Sequence, residues 1–168
     1  MSDSSDARSG SRLYYVPLIK SFLEKGFSVH LHTLKVVPDA NGINQYEILE
    51  EKYKGNFFIE KPLSFNENDF VDSFYILSRY DFGILHNYIE GTSNSEFDKY
   101  NIPHRYYEYL LAHVIPILQK NKTIVLERIF NETNSGFVYS SPEEIKLNTY
   151  CNFSFKSFKD YIRVLYAE

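Results

Sequence analysis

Cysteine is nearly absent from the 168-residue chain, with Cys151 as its single example. One thiol can neither close an intramolecular disulfide nor supply a multi-cysteine zinc site, so a buried structural role is the default interpretation. Glycine occurs only seven times. Gly-rich phosphate loops and the Gly-x-Ser-x-Gly motif are missing, which removes the central residues of P-loop, protein-kinase and serine-hydrolase sites.

Positive charge and long apolar runs are also scarce. Lys and Arg total 18 against 22 for Asp and Glu, and a net charge of -4 argues against nucleic-acid binding. Residues 1–12 lack the apolar core of a secretory signal, and no later run reaches the length of a membrane span. We therefore expect no transmembrane segment and a cytoplasmic location, with peripheral attachment to a membrane as the alternative.

The residues that are present match a globular protein. Apolar residues make up 43% and charged residues 24%, which is typical of a soluble domain with a real core. Residues 1–12 are small and polar, and the apolar pattern begins at Leu13. The sequence predicts a disordered tail over 1–12 and a single α/β domain over 13–168.

Helical and strand patterns alternate along the chain. Gly26 ends the first helical pattern, and Ser141, Pro142 and Glu144 have the spacing of a capping box at a late helix. Helices are predicted at 13–25, 44–53, 66–79, from Pro103, up to 129 and from 141, and strands at 27–32, 56–60, 81–85, 114–118 and 137–139. This order predicts an open, doubly wound, Rossmann-like parallel sheet of about five strands with helices on both faces.

The C-terminal segment has an amphipathic pattern. Phe155, Phe158, Ile162 and Leu165 share one helical face, while Lys156, Lys159 and Arg163 lie elsewhere. Docking on the core is the favoured interpretation. A helix that faces a membrane surface or a partner is the alternative.

Open parallel sheets bind ligands beyond the carboxyl ends of their strands. The connection over 86–101 follows a predicted strand and is much longer than the usual roughly 2 to 6 residues of such loops. This length favours a binding or lid role, with a variable surface excursion as the alternative.

The helix that begins at Pro103 carries the main candidate site. Its free amides, together with His104 and Arg105, would attract a phosphate. Glu108 lies on the same helical face and could accept hydrogen bonds from the hydroxyls of a ribose. The alternative is a local ion pair between Arg105 and Glu108 on a solvated face.

Residues 101–117 resemble the donor-site helix and following strand of GT-B-type, group 1-like glycosyltransferases, with Pro103, Arg105 and Glu108 at the characteristic positions. Residues 79–85 and 136–144 resemble the preceding strand and the later strand and helix start of that family. The similarity covers roughly 13–150, and its specific part is the helix around Glu108. It implies the C-terminal, donor-binding half of such an enzyme.

The resemblance implies roles for individual residues. Glu108 would bind the ribose of a nucleotide-sugar donor, and Arg105, His104 and the amides after Pro103 would lie near its diphosphate. Two further residues, Lys99 and Tyr100, complete the expected donor-binding set. Pro62 and Leu63 would lie against the nucleobase. The acceptor would be a glycan or a lipid-linked sugar, with no cofactor or metal required, and the catalytic residues are unknown.

The chain departs from the family at several points. Tyr100 stands where the family often has a second Glu, with Glu96 the nearest carboxylate, and His113 replaces a Gly. The first strand and the acceptor half are not apparent, so we expect catalysis to need a complementary N-terminal domain or a homo-oligomer. The alternative function is a non-catalytic α/β protein-interaction domain or a degenerate fragment.

His30 and His32 alternate on one strand, which makes only a weak case for a metal site.

Overall fold

The structure is a computed structural model that describes residues 5–6, 14–65, 69–85 and 99–145. It divides into two compact units, residues 1–69 and 70–168. Each unit has the α/β character that the sequence predicts, with helices between parallel strands. The prediction of one domain over 13–168 stays a prediction.

The described residues of the first unit form two short parallel sheets and two helices. Its elements are β1 (Ser5–Asp6), α1 (Val16–Glu24), β2 (Val29–His32), β3 (Val36–Val37), α2 (Gln45–Lys52) and β4 (Phe57–Glu60). β1 pairs with β3, and β2 pairs with β4 in a register that sets Val29 beside Phe57. Both helices bury their apolar faces, and the Tyr46 hydroxyl accepts a hydrogen bond of 2.9 Å from the Tyr15 amide before α1.

Local sequence signals mark the C-terminal end of α1 and the N-terminal end of α2. Gly26 has a φ of 83°, and its amide and that of Phe27 bond back to the carbonyls of Leu23 and Phe22. The Phe22 and Phe27 rings meet edge to face at 5.5 Å, which completes a Schellman motif. The Asn44 side chain caps α2 by accepting from the amides of the second and third helical residues. The predicted C-terminal end of α1 and the predicted start of α2 are thus confirmed, whereas α1 begins at Val16 and not at the predicted residue 13.

The described part of the second unit contains one three-stranded parallel sheet. Its elements are α3 (Phe70–Leu77), β5 (Phe82–Leu85), α4 (His104–Leu111), β6 (Ile115–Gln119), α5 (Ile124–Thr133), β7 (Phe137–Tyr139) and a 3-10 turn (Pro142–Glu144). The strand order is β5-β6-β7, with Phe82 beside Ile115 and Ile117 beside Phe137. The core joins the sheet to α4 and α5 through Leu85, Tyr106, Leu110, Leu118, Leu126, Ile129 and Phe130.

Two sequence expectations differ from the structure. A short strand, β1, precedes α1 where a polar tail was expected in place of a strand, because its pairing with Val36 and Val37 depends on the partner backbone and not on composition. Ser141 makes no side-chain capping bond, and Glu144 accepts instead from the Ser140 amide at 2.9 Å. The turn is 3-10, and its tighter geometry does not form the predicted capping box.

The parallel strands lie in three small sheets of two, two and three strands within the described ranges. The α/β class with parallel pairing is therefore confirmed at this level. The predicted segments 86–98 and 146–168, with Cys151 and the amphipathic C-terminal pattern, lie outside the described residues.

Candidate functional site

The candidate site lies at the start of α4. Pro103 is the N-cap residue, in extended conformation with φ -69° and ψ 144°, and its carbonyl accepts from the Tyr106 amide at 3.0 Å. Proline has no hydrogen-bonding side chain, so it leaves the first amides of α4 without a side-chain cap. The predicted start of the helix near Pro103 is confirmed, with His104 as its first residue.

Topology sets where this helix begins relative to the sheet. β5 and β6 are parallel and adjacent, so the chain between them must return to the edge where β6 starts. Only three residues separate Leu111 from β6. The C-terminal end of α4 is therefore near the amino edge of the sheet, and its N-terminal end points toward the carboxyl edge, where such sheets bind ligands.

A close contact holds α4 over β5. The Tyr109 ring lies against the backbone at Gly83, and a Cβ at that position would overlap the ring. The Tyr109 hydroxyl also reaches the carbonyl of Ile84, at 3.5 Å. Gly83 therefore allows the second turn of α4 to approach the strand.

Buried hydroxyl groups hold the other side of α4. The Tyr106 hydroxyl lies 2.7 Å from Ser135 Oγ, which lies 2.6 Å from Thr133 Oγ1. Thr133 Oγ1 also donates to the Ile129 carbonyl at 2.7 Å. Because all three side chains are buried, these bonds tie α4 to the turn between α5 and β7.

Glu108 lies on the second turn of this anchored helix and is partly buried. Burial raises the pKa of its carboxyl above the usual value, while the charges of Arg105 and His104 oppose that rise. The structure thus brings these three predicted residues within electrostatic reach of one another. Arg105 and His104 are exposed, so both side chains also face solvent.

The other predicted residues are more scattered. Lys99 is half-buried, and Tyr100 is exposed, both shortly before α4. Pro62 and Leu63 are half-buried after β4, in the first unit. Glu96 and most of the long connection lie outside the described residues. The roles assigned to all of these residues stay predictions.

His113 occupies the place in the turn after α4 that glycine usually takes. Its φ is 59°, in the left-handed region, and its amide bonds to the Leu110 carbonyl. The Val114 amide bonds to the Tyr109 carbonyl at 2.9 Å, so the turn is a Schellman motif. A glycine would adopt this backbone without strain, and His113 adopts it at a cost.

The histidines of β2 have other partners than a metal. His30 Nδ1 lies 3.3 Å from Glu60 Oε1, and its ring stacks on Phe58. His32 Nδ1 lies 2.9 Å from the Lys61 carbonyl. Over the described ranges, no cluster of three or more His, Cys, Asp or Glu side chains has the geometry of a metal site.

Two features that position the site give no signal in the sequence. Gly83 gave no signal beyond its residue type, because the close approach of Tyr109 comes from tertiary packing. The same holds for Ser135, because its hydrogen bond with Tyr106 joins residues 29 apart in the sequence.

No helix in the described part of the chain is long and apolar enough to span a bilayer.

Comparisons with protein-family models, with curated proteins and with solved structures gave no significant match to this chain. The residues around Glu108 and their geometry are therefore the basis for any inference about function.

Proposed function

We propose that the second unit binds a nucleoside diphosphate sugar, as the donor half of a GT-B-type glycosyltransferase. The observation that carries the proposal is the partly buried Glu108 carboxylate, held beside Arg105 and His104 near the start of α4. A carboxylate that has lost part of its water gains most from new hydrogen-bond donors. The two hydroxyls of a ribose are such donors.

The neighbouring groups suit the rest of the donor. Arg105 carries a positive charge and the amides of the first turn of α4 carry partial positive charge, which a diphosphate would neutralise, and the His104 ring could donate a hydrogen bond to it. During transfer, the same groups would stabilise the departing nucleoside diphosphate electrostatically. The sugar would pass to a glycan or lipid-linked acceptor, whose contacts a second domain or subunit would supply. The fold assigned by this proposal is an open, doubly wound sheet of the GT-B C-terminal type.

A thermal-shift titration with uridine, guanosine, adenosine and cytidine diphosphates tests the proposal. A ligand at about 100 times its dissociation constant stabilises a folded protein by roughly 2.7 kcal/mol. We expect one or more of the four to stabilise the wild type and to lose that effect in Glu108→Ala. Glu51→Ala, which removes an exposed carboxylate from α2, is the matched control and should respond as the wild type does.

Absence of stabilisation by all four ligands in a folded protein would reject the donor site. A stabilisation that Glu108→Ala retains would show that the nucleotide binds elsewhere on the protein.

The second candidate function is a non-catalytic interaction domain, and one observation favours it, the exposed apolar face of α3. It predicts no nucleotide response.

A further inference from the structure

The first turn of α4 lacks the usual means of fixing the start of a helix. Pro103 makes no side-chain capping bond, and the helix has only eight residues. Isolated helices shorter than roughly 12 residues are marginal in water, and helix ends fray first. The order of this turn, which carries His104 and Arg105, must therefore come from tertiary contacts.

Proton counting fixes the direction of the hydroxyl network that joins α4 to the turn after α5. Each hydroxyl has one proton to donate. The Ile129 carbonyl can only accept, so Thr133 gives its proton to that carbonyl, at 2.7 Å. Ser135 Oγ then donates to Thr133 Oγ1, and the Tyr106 hydroxyl donates to Ser135 Oγ at 2.7 Å. The network therefore runs one way, from Tyr106 through Ser135 to Thr133, and uses the proton of each hydroxyl.

The turn that receives these bonds is itself closely packed. Gly136 lies against the Phe130 ring, where a Cβ would overlap. Asn134 is left-handed, with φ 51°, and its amide bonds to the Phe130 carbonyl at 2.9 Å. The Tyr106 and Phe130 rings lie 5.8 Å apart between centroids. Because Tyr106 and Ser135 are 1% and 0% exposed, water cannot replace a bond lost between them.

We propose that Tyr106 and Ser135 are positioning residues for nucleotide binding. Their bond holds the first turn of α4, and with it the turn's amides and Glu108, in the arrangement that receives the ligand. Both residues are buried, so they act through α4 and not by touching the ligand. The inference rests on the proposed nucleotide site. A site that is ordered before binding loses less entropy when the ligand arrives, so loss of this bond should weaken binding.

Hydrogen exchange in the ligand-free, full-length protein tests the positioning. Ser135→Ala removes the acceptor of Tyr106 and a donor to Thr133, so the amides of α4 should exchange roughly tenfold faster, with β6 little changed. Tyr106→Phe should have a smaller effect, because Ser135 still donates to Thr133. Adding Tyr106→Phe to Ser135→Ala should slow the exchange again, because it removes the phenol that has lost its acceptor.

Two control variants separate positioning from stability. Tyr107→Phe removes an exposed phenolic hydroxyl from the same helix and should leave the exchange of α4 unchanged. Ile129→Val trims a buried side chain but keeps the carbonyl that Thr133 uses, and it should not speed α4 more than β6. Exchange in Ser135→Ala that is unchanged, or that rises equally in α4 and β6, would mean a purely structural role and would overturn the proposal.

Calorimetric titration with uridine, guanosine, adenosine and cytidine diphosphates separates this inference from the proposed function. A diphosphate that binds the wild type should bind Ser135→Ala roughly fivefold more weakly, and should bind Tyr107→Phe and Ile129→Val as it binds the wild type. Full affinity in Ser135→Ala would overturn the positioning and leave the donor site intact. A wild type that binds none of the four would reject the donor site, and the role in binding with it.

Discussion

At the scale of single residues, Glu108 is the position where binding and stability oppose each other. Its carboxyl is partly buried, and burial outweighs the nearby Arg105 and His104 in setting its pKa above the usual value. A raised pKa means that the folded chain binds the proton more tightly than the unfolded chain does. The contribution of this group to stability is therefore complete below the unfolded pKa, near 4.5, and is lost as pH rises through the folded pKa.

Substitution of this carboxyl gives a pH-dependent prediction. Glu108→Gln should raise the melting temperature of the ligand-free protein at neutral pH, because it removes a charge that burial disfavours. The advantage should disappear as pH falls below about 4.5, where Glu108 is protonated in both states. Melting curves from pH 4 to 8 measure this, with Glu51→Gln as the exposed control. A Glu108→Gln variant that is less stable at neutral pH would contradict this prediction, because it would mean that the attraction to the nearby positive charge of Arg105 outweighs the effect of burial.

His113 gives a prediction about backbone strain. A side chain at φ 59° costs roughly 1 kcal/mol relative to glycine. His113→Gly should therefore raise the free energy of unfolding by about 0.5 to 1 kcal/mol, measured by urea denaturation. His113→Ala keeps the Cβ and removes only the imidazole, so it should bring no gain. Equal gains in both variants would assign the effect to the imidazole and not to the backbone.

At the scale of elements, the close packing of α4 on β5 depends on Gly83. A methyl group there would overlap the Tyr109 ring, and overpacking of this kind typically costs about 1 to 3 kcal/mol. Gly83→Ala should lower the unfolding free energy by that amount. In a Tyr109→Ala background, the same substitution should cost much less, because the ring is gone. Urea denaturation of the four proteins measures the coupling, and additive losses would contradict the packing.

The helices and strands themselves were largely predictable from the sequence. Asn44 and Gly26 mark helix ends through their own side chain or backbone freedom, so local residues carry the signal. Pairing of β1 with β3 was not predictable, since two polar residues have no strand pattern. The prediction of a capping box at Ser141 was wrong, because a 3-10 turn changes which backbone amide the Glu144 carboxylate can reach.

The candidate site was predictable where it depends on local helical spacing and not where it depends on tertiary packing. The grouping of His104, Arg105 and Glu108 follows from helical spacing, and the structure places them on the first two turns of α4. The partial burial of Glu108 was not predictable, because tertiary packing sets it. The bond from Tyr106 to Ser135 joins elements far apart in sequence, and neither residue type signals it.

At the scale of the whole molecule, the chain forms two compact units, and the residues around Glu108 that we propose as a donor site all belong to the second. Parallel strands and intervening helices agree with a nucleotide-binding architecture, which many unrelated functions share. Function therefore has to be argued from the site. The central claim is that Glu108 accepts hydrogen bonds from the ribose of a bound nucleotide.

Calorimetric titration of wild type and Glu108→Ala with a nucleoside diphosphate and its 2′,3′-dideoxy counterpart tests that claim most directly. Hydrogen bonds to a charged group contribute about 1.5 to 3 kcal/mol, or roughly tenfold to a hundredfold in affinity. The wild type should prefer the ribose form by that factor, and Glu108→Ala should bind both forms with similar, weaker affinity. A preference that survives in Glu108→Ala, or a wild type that binds neither form, would contradict the account.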